Sequence, residues 1–455
     1  VLDLRRYHRL VRDAPRVRVR GRVTGLVGLV VRARVPGVRV GEVVLLDSPG
    51  RPGVQAEVVG FQGEEVMLMP LGEPLGLGPD TEVLPTGRPL TLRVGDGLLG
   101  RVLDGLGRPA DGRPLPPGLE EWAVDRDCPD PFTRRRIERP LPLGVRALDG
   151  LLTVGEGQRV GLFAGSGVGK STLLGQIARN SRAEVCVIAL IGERGREVRE
   201  FVEDALGEEG LRRSVVVCAT SDQPALVRLR AAYVATAIAE HFRERGGNVL
   251  FMLDTVTRLA RAQREVGLAV GEPPARQGYP PSVFSMLPRL LERTGNSARG
   301  TCTALYTCLV AGGDMEEPIA DEVRGILDGH VVLDRAIGAR NQWPAVDVLA
   351  SVSRVMNGLV SAGHRRAAAR VRELLAAYER QRDLIALGAY QRGSDPRTDA
   401  AIDAHEALTG FLRQDTHENA PFAQTVARLL ALAGEGAAEG AGPAAVAGPA
   451  GRGGA

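Results

Sequence analysis

Lysine is almost missing from this 455-residue chain: Lys170 stands alone beside 57 arginines. The drift toward Arg, Ala and Gly is compositional, so a lysine kept at one place marks that place. Aromatic residues are scarce at 4%, too few for the stacking platforms that single-stranded nucleic acid requires. No charge dominates: 58 basic against 55 acidic residues leave a net +3, which argues against a nucleic-acid coat or a basic membrane-surface protein. The five cysteines (Cys128, Cys186, Cys218, Cys302, Cys308) form no CxxC pair, so neither a zinc site nor a disulfide framework is expected, and a reducing cytoplasm fits best. Long apolar runs are missing too, since VCVIALI at 185–191 has the length of a strand and not of a membrane span. The six histidines show no HxxxH or HExxH spacing and are expected to be structural or exposed. No secretory leader is visible, and the chain starts at Val1 without an initiator Met.

What is present is ordinary globular material, 44% apolar and 25% charged, in a length that suits about three domain-sized units. Residues 16–88 read as short strands (the alternating Arg16–Arg20, then Leu26–Val31, Val43–Leu46, Val54–Phe61 and Val66–Met69) with turn signals between them, which predicts a small β-barrel. A Gly/Pro-rich connector follows at Gly95–Gly118, and then the basic triplet Arg134-Arg135-Arg136, expected to be a solvated surface. From 158 to 350 apolar runs alternate with helical stretches, the pattern of a parallel α/β sheet. Its strands are expected at Arg159–Phe163, Val185–Ile191, Val215–Cys218, Val249–Leu253, Cys302–Val310 and Val331–Leu333. Beyond 360 the period turns helical, with apolar faces at Val371/Leu374/Leu375/Tyr378, Ile402/Leu408/Phe411/Leu412 and Phe422/Val426/Leu429/Leu430. The division expected is a barrel domain over 1–88, an α/β domain over 89–350, a helical domain over 351–433 and a flexible Gly/Ala-rich tail over 434–455.

The lone lysine sits in Gly165-Ser166-Gly167-Val168-Gly169-Lys170-Ser171, which matches the pattern GxxxxGK[ST] except that Ala164 stands in its first place, with Thr172 next. It follows an expected strand and precedes an expected helix, Ser171–Asn180, the context in which such a loop cradles phosphates. Its glycines let backbone N–H groups curl around phosphate oxygens, the helix start adds its positive end, Lys170 meets the β/γ-phosphates, and the Ser171 hydroxyl can ligate Mg²⁺. A glycine-rich helix start with no ligand would not explain why the only lysine is there, since arginine is too bulky and planar for that cradle. Two strand-end carboxylates complete the reading. Asp254 closes the apolar run 249–253 and suits an indirect hold on Mg²⁺; its bland alternative is a helix N-cap. Glu193 follows the strand 185–191 and is placed to orient and polarise water; its bland alternative is an exposed loop charge.

These stretches resemble the rotary-type protein-export ATPases of bacterial type III secretion, relatives of the catalytic head of ATP synthase. The resemblance covers roughly 16–430. It is carried by MLMPLGE at 67–73, VGDGLLGRVLDGLGRPADG at 94–112, the phosphate loop, GERGREV at 192–198, GYPPSVFSMLPRLLERTG at 278–295, PIADEVRGILDGHVVLDR at 318–335, WPAVDVLASVSRVM at 343–356 and GAYQRGSDPRTDAAID at 388–403. It implies a RecA-like core between the barrel and the helical domain, with ATP and Mg²⁺ bound. By matched position it implies Glu193 as catalytic carboxylate, Arg194 and Arg258 as γ-phosphate contacts, and Arg354 as an arginine finger given to a neighbouring subunit. Trp343 takes the place of the adenine-stacking aromatic, and Phe422 the other side of the base. Asp334 stands where relatives commonly carry Ser.

Because one chain holds both Glu193 and Arg354, a self-sufficient homohexamer is expected over one subunit of a mixed ring. The implied partners are stalk and stator proteins and chaperone–substrate complexes, at the cytoplasmic face of the bacterial inner membrane and with no nucleic acid. The segment PIADEVRGILDGH looks more like the injectisome than the flagellar branch. GYPPSVF speaks against an ATP synthase subunit, the charge balance against a hexameric RNA helicase, and Glu193 against a regulatory subunit that only binds nucleotide.

Overall fold

The computed structural model describes residues 19–434. Six strands, β1 (Gly21–Val27), β2 (Val30–Arg34), β3 (Glu42–Asp47), β4 (Val54–Gln62), β5 (Glu65–Pro70) and β6 (Glu82–Pro89), close a barrel in the order β1-β2-β5-β4-β3-β6. Period-2 alternation fills its interior with Val31, Ala33, Val44, Leu46, Ala56, Val58, Leu68 and Val83. The strand expected at Leu26–Val31 is instead two strands and a turn, with Val27 paired to Val30 across Gly28 at φ 59°. Apolar residues run unbroken through that turn, so only the left-handed glycine marks it. Strand β6 went unpredicted because Pro85, Gly87 and Pro89 punctuate it. Most of the strand expected at Arg16–Arg20 lies outside the described residues, as does the tail beyond residue 434.

After the barrel, β7 (Thr91–Val94) pairs with β9 (Glu120–Ala123) in a small ribbon. The remaining strands are β8 (Arg101–Asp104), β10 (Arg159–Ala164), β11 (Val185–Ile191), β12 (Ser214–Ala219), β13 (Asn248–Asp254), β14 (Thr301–Leu309), β15 (Gly329–Leu333) and β16 (Val346–Ser353). They form one sheet in the order β16-β15-β10-β14-β13-β11-β12-β8, parallel except for β16. Each expected strand of the α/β region is found, with ends moved by no more than two residues. The connector, however, is not all connector. Its residues 101–104 are an edge strand of the sheet, held where Arg101 Nε meets Asp111 Oδ2 at 2.6 Å.

Apolar faces cover the sheet on both sides, as parallel sheets require. One side packs against helices Ala225–Glu244, Val256–Ala269 and Pro281–Leu291; the other packs against Lys170–Asn180 and the C-terminal helices Ala362–Ala386, Pro396–Leu412 and Phe422–Leu432. The basic triplet is exposed at Arg135 and Arg136, as expected, but Arg134 is half-buried. Arg134 donates to the carbonyls of Glu292 and of Thr294 (2.9 Å), and Arg135 to those of Ser297 (3.2 Å) and Arg299 (3.0 Å), so the two clamp the turn that follows helix Pro281–Leu291. Arginine carries enough donors to saturate loop carbonyls, and sequence alone does not show which loop needs them. Among the described residues, no helix is long and apolar enough to cross a membrane.

Candidate active site

Parallel strands end on one edge of the sheet, and loops at that edge gather the chemistry. The loop after β10 runs from Gly165 to Gly169, with Gly167 at φ 75° and Gly169 at φ 79°, and helix Lys170–Asn180 follows at once. Val168 turns its side chain into the core, while Gly165, Ser166, Gly167, Gly169, Lys170, Ser171 and Thr172 line a cavity of about 620 Å³. Arg335 steadies the loop from outside, its Nη2 donating to the Ser166 carbonyl at 2.9 Å.

Lys170, Glu193, Asp254 and Arg258 meet at this edge. The Lys170 ammonium donates to Asp254 Oδ1 and lies 3.6 Å from Glu193 Oε1. Arg258, in the first turn of helix Val256–Ala269, places Nη1 2.8 Å from Glu193 Oε2 and also donates to the Gly192 carbonyl. Asp254 is buried and accepts from Thr307 Oγ1 at 2.7 Å. Burial, and then the charge of Asp254, push the Glu193 carboxyl up to about 7, while Lys170 and Arg258 pull it down. Glu193 is thus a base poised near neutrality, facing a cavity with a lysine at its edge.

Trp343 closes the cavity on another side. Its indole lies across Gly169, so that a Cβ on Gly169 would come within 3.0 Å of the ring. Any side chain at 169 would displace it. Two expected residues lie elsewhere. Arg194 is exposed and pairs with Glu197 at 3.6 Å, at the start of helix Gly195–Glu200, instead of entering the cavity. Phe422 opens its helix edge-on to His364, 6.0 Å between ring centres, and does not line the cavity. Gln414 and Thr416, from the loop before that helix, line it instead. Sequence reasoning missed them because a short polar loop between two apolar helices carries no motif. It also missed Glu197, which lines the cavity one helical turn after Glu193.

Arg354 is exposed, and among the described residues it pairs with no carboxylate; its nearest acceptor is the Arg324 carbonyl at 3.5 Å. Strand register fixes where it stands. Ser353 pairs with Gly329 at the start of β15, whereas Leu333 at its end pairs with Ala164 beside the phosphate loop. Roughly 13 Å of strand therefore separates Arg354 from its own loop.

Family models agree with this architecture part by part. The β-barrel domain of the ATP synthase alpha/beta family matches residues 23–87 and its nucleotide-binding domain 144–353; the T3SS EscN ATPase C-terminal domain matches 360–431. The chain is 54% identical to the flagellum-specific ATP synthase of Bacillus subtilis, over 91% of this chain and 95% of that one. It is 53% identical to the type 3 secretion system ATPase of Xanthomonas euvesicatoria, over 90% and 93%. The structure of the assembled ATPase EscN from the type III secretion system of enteropathogenic E. coli superposes with a TM-score of 0.86 at 46% identity, covering 91% of this chain and all of that one. A phosphate loop, a poised carboxylate and an aromatic wall on a barrel–sheet–helix frame thus occur here with relatives that match from barrel to C-terminal helices, and the chain belongs to the family of type III export ATPases.

Proposed function

We propose that this ATPase hydrolyses ATP with Glu193 polarising the attacking water, and that the energy drives type III protein export. The observation that carries the catalytic part is the meeting of Glu193 with Lys170 and Arg258 at the edge of the cavity that the phosphate loop lines. Loop amides and Lys170 hold the phosphates, releasing Lys170 from Asp254 as they do so, and Arg258 faces the γ-phosphate from the side of Glu193. Trp343 stacks on the adenine. Among the described residues no group of three or more His, Cys, Asp or Glu could cage a metal, and this suits Mg²⁺, which arrives with substrate phosphates and keeps much of its water. Ser171 and, partly through water, Asp254 would hold it, and it would supply charge neutralisation on the phosphates.

Arg354 acts in trans in this reading. Its distance along β15 from its own loop and its lack of a carboxylate partner among the described residues support donation to a neighbouring copy. One solved relative is described as assembled EscN in complex with its central stalk EscO, at 46% identity and a TM-score of 0.85. We accordingly read this chain as a homohexamer in the cytoplasm, at the inner-membrane face, driving a stalk and releasing chaperones from export substrates. The segment 318–330 favours the injectisome branch, although relatives from both branches stand at similar identity.

The test is Glu193→Gln. It should keep Mg-ATP binding nearly intact and lower turnover by about two to four orders of magnitude. Ordinary turnover in the purified variant would assign the water to another group.

A further inference from the structure

Trp343 is 40% exposed, yet its indole packs against Gly169, where a Cβ would meet the ring at 3.0 Å, so something must hold it. The anchor comes from the far end of the chain. The Gln414 backbone N–H donates to the Trp343 carbonyl at 2.8 Å. Gln414 is itself buried and fully used: Oε1 accepts from the Arg146 backbone N–H at 2.8 Å, and Nε2 donates to the carbonyls of Gly144 (2.8 Å) and Glu418 (2.9 Å).

Arg146 then locks the whole loop. It is a buried arginine at the first turn of helix Arg146–Leu151, 8% exposed. Its Nε donates to the Phe411 carbonyl at 2.8 Å, Nη2 donates to the Arg413 carbonyl, and the fork closes on the Glu418 carboxylate. One guanidinium thereby satisfies the Phe411 carbonyl in the last turn of helix Pro396–Leu412 and that of Arg413 just beyond it. The same block also rests on the phosphate-loop helix, since Arg179 donates to the Thr416 carbonyl at 2.7 Å and Gln176 to that of Asp415 at 3.1 Å.

We infer that Arg146 and Gln414 are positioning residues for nucleotide binding, holding the Trp343 ring where the base must stack; the inference rests on the reading of Trp343 as the adenine wall. Gln414 lines the cavity and Arg146 does not, but neither side chain hydrogen-bonds the phosphate loop, so the effect expected is on the base. A ring already held in place loses little freedom on binding, and affinity follows from that preorganisation. Because the block is also the end of helix Pro396–Leu412, base affinity and the placement of the C-terminal helices are tied through one hydrogen-bonded unit.

The experiment uses the full chain carrying Trp122→Phe, which leaves Trp343 as the sole indole and breaks no hydrogen bond, since Trp122 Nε1 has none. In it, Arg146→Lys keeps the charge but loses the fork. Gln414→Glu keeps the size and the acceptor for Arg146 while turning two donated bonds into repulsions. Each should weaken ATP and ADP binding about tenfold, the scale of one base–aromatic stack. Each should also change Trp343 emission and leave affinity for tripolyphosphate, which has no base, unchanged; Arg146→Lys, at a residue outside the cavity lining, should leave kcat at saturating ATP within about twofold.

Unchanged ATP affinity in the folded variants overturns the inference, and so does a parallel loss of tripolyphosphate binding, which would reveal a general structural defect. If Arg146→Lys does not fold, Gln414→Glu decides alone. Trp343→Ala separates the two levels of the argument. Unchanged ATP affinity there removes the stacking reading itself. Weakened affinity there, with none in the other two variants, removes only the positioning role.

Discussion

At the scale of single residues, the site is an argument about charge in a confined place. In the reading proposed, Lys170 contacts phosphate in ground state and transition state alike, so Lys170→Ala should lower nucleotide affinity as well as turnover, as titration with ATP would show. Unchanged affinity would mean the loop holds no phosphate. Glu193 sets the pH response. With its carboxyl raised to about 7 by burial and by Asp254, it accepts a proton only above that value. A plot of kcat/KM, which reports the free enzyme, should therefore climb through about pH 7 and flatten above it. Stability runs the other way. Between the ordinary 4.5 and about 7 the folded protein holds a proton that the unfolded chain has released, so stability falls as pH rises through that window. Glu193→Gln should remove the rate slope and lessen the stability slope, part of which remains because burial also raises the Asp149 carboxyl to about 7, as rate profiles and thermal melts across pH 4.5–8 would reveal.

At the scale of elements, the phosphate-loop helix depends on a residue with no side chain. Gly175 abuts Ala205 in the π-helical segment Phe201–Leu206, and a Cβ on Gly175 would lie 2.6 Å from the Ala205 carbonyl oxygen. Gly175→Ala should push helix Lys170–Asn180 off its neighbour and cost about 1–3 kcal/mol, read as a lower Tm. The sheet was legible because parallel strands are apolar on both faces and stand out as runs: Val185–Ile191 matches its expected ends, and the others shift only slightly. The phosphate loop was legible because backbone geometry demands its glycines and one lysine. Illegible features were those that depend on a distant partner. Residues 101–104 read as connector until β12 lies beside them, Arg134 reads as solvated until the 292–294 carbonyls surround it, and Gln414 has no signature at all. Phe422 shows the same limit from the other side, since an apolar position that begins a helix faces core or cavity according to how the helix is docked.

At the scale of the whole molecule, the trans role proposed for Arg354 would make activity a property of an assembly. Specific ATPase activity should rise steeply with protein concentration as rings form, followed in parallel by light scattering. Arg354→Ala should still bind ATP and assemble, yet turn over about a thousandfold more slowly at every concentration. Full activity in dilute monomer would remove the trans-acting role. The barrel bears on the same question differently. A closed ring of strands offers no free row of backbone donors and acceptors to a neighbour. Copies that meet through it must touch side chain to side chain, without fusing their sheets. Contacts of that kind weaken on dilution and respond to salt, so a ring built on them would be put together and taken apart by copy number and ionic strength while every subunit stays folded.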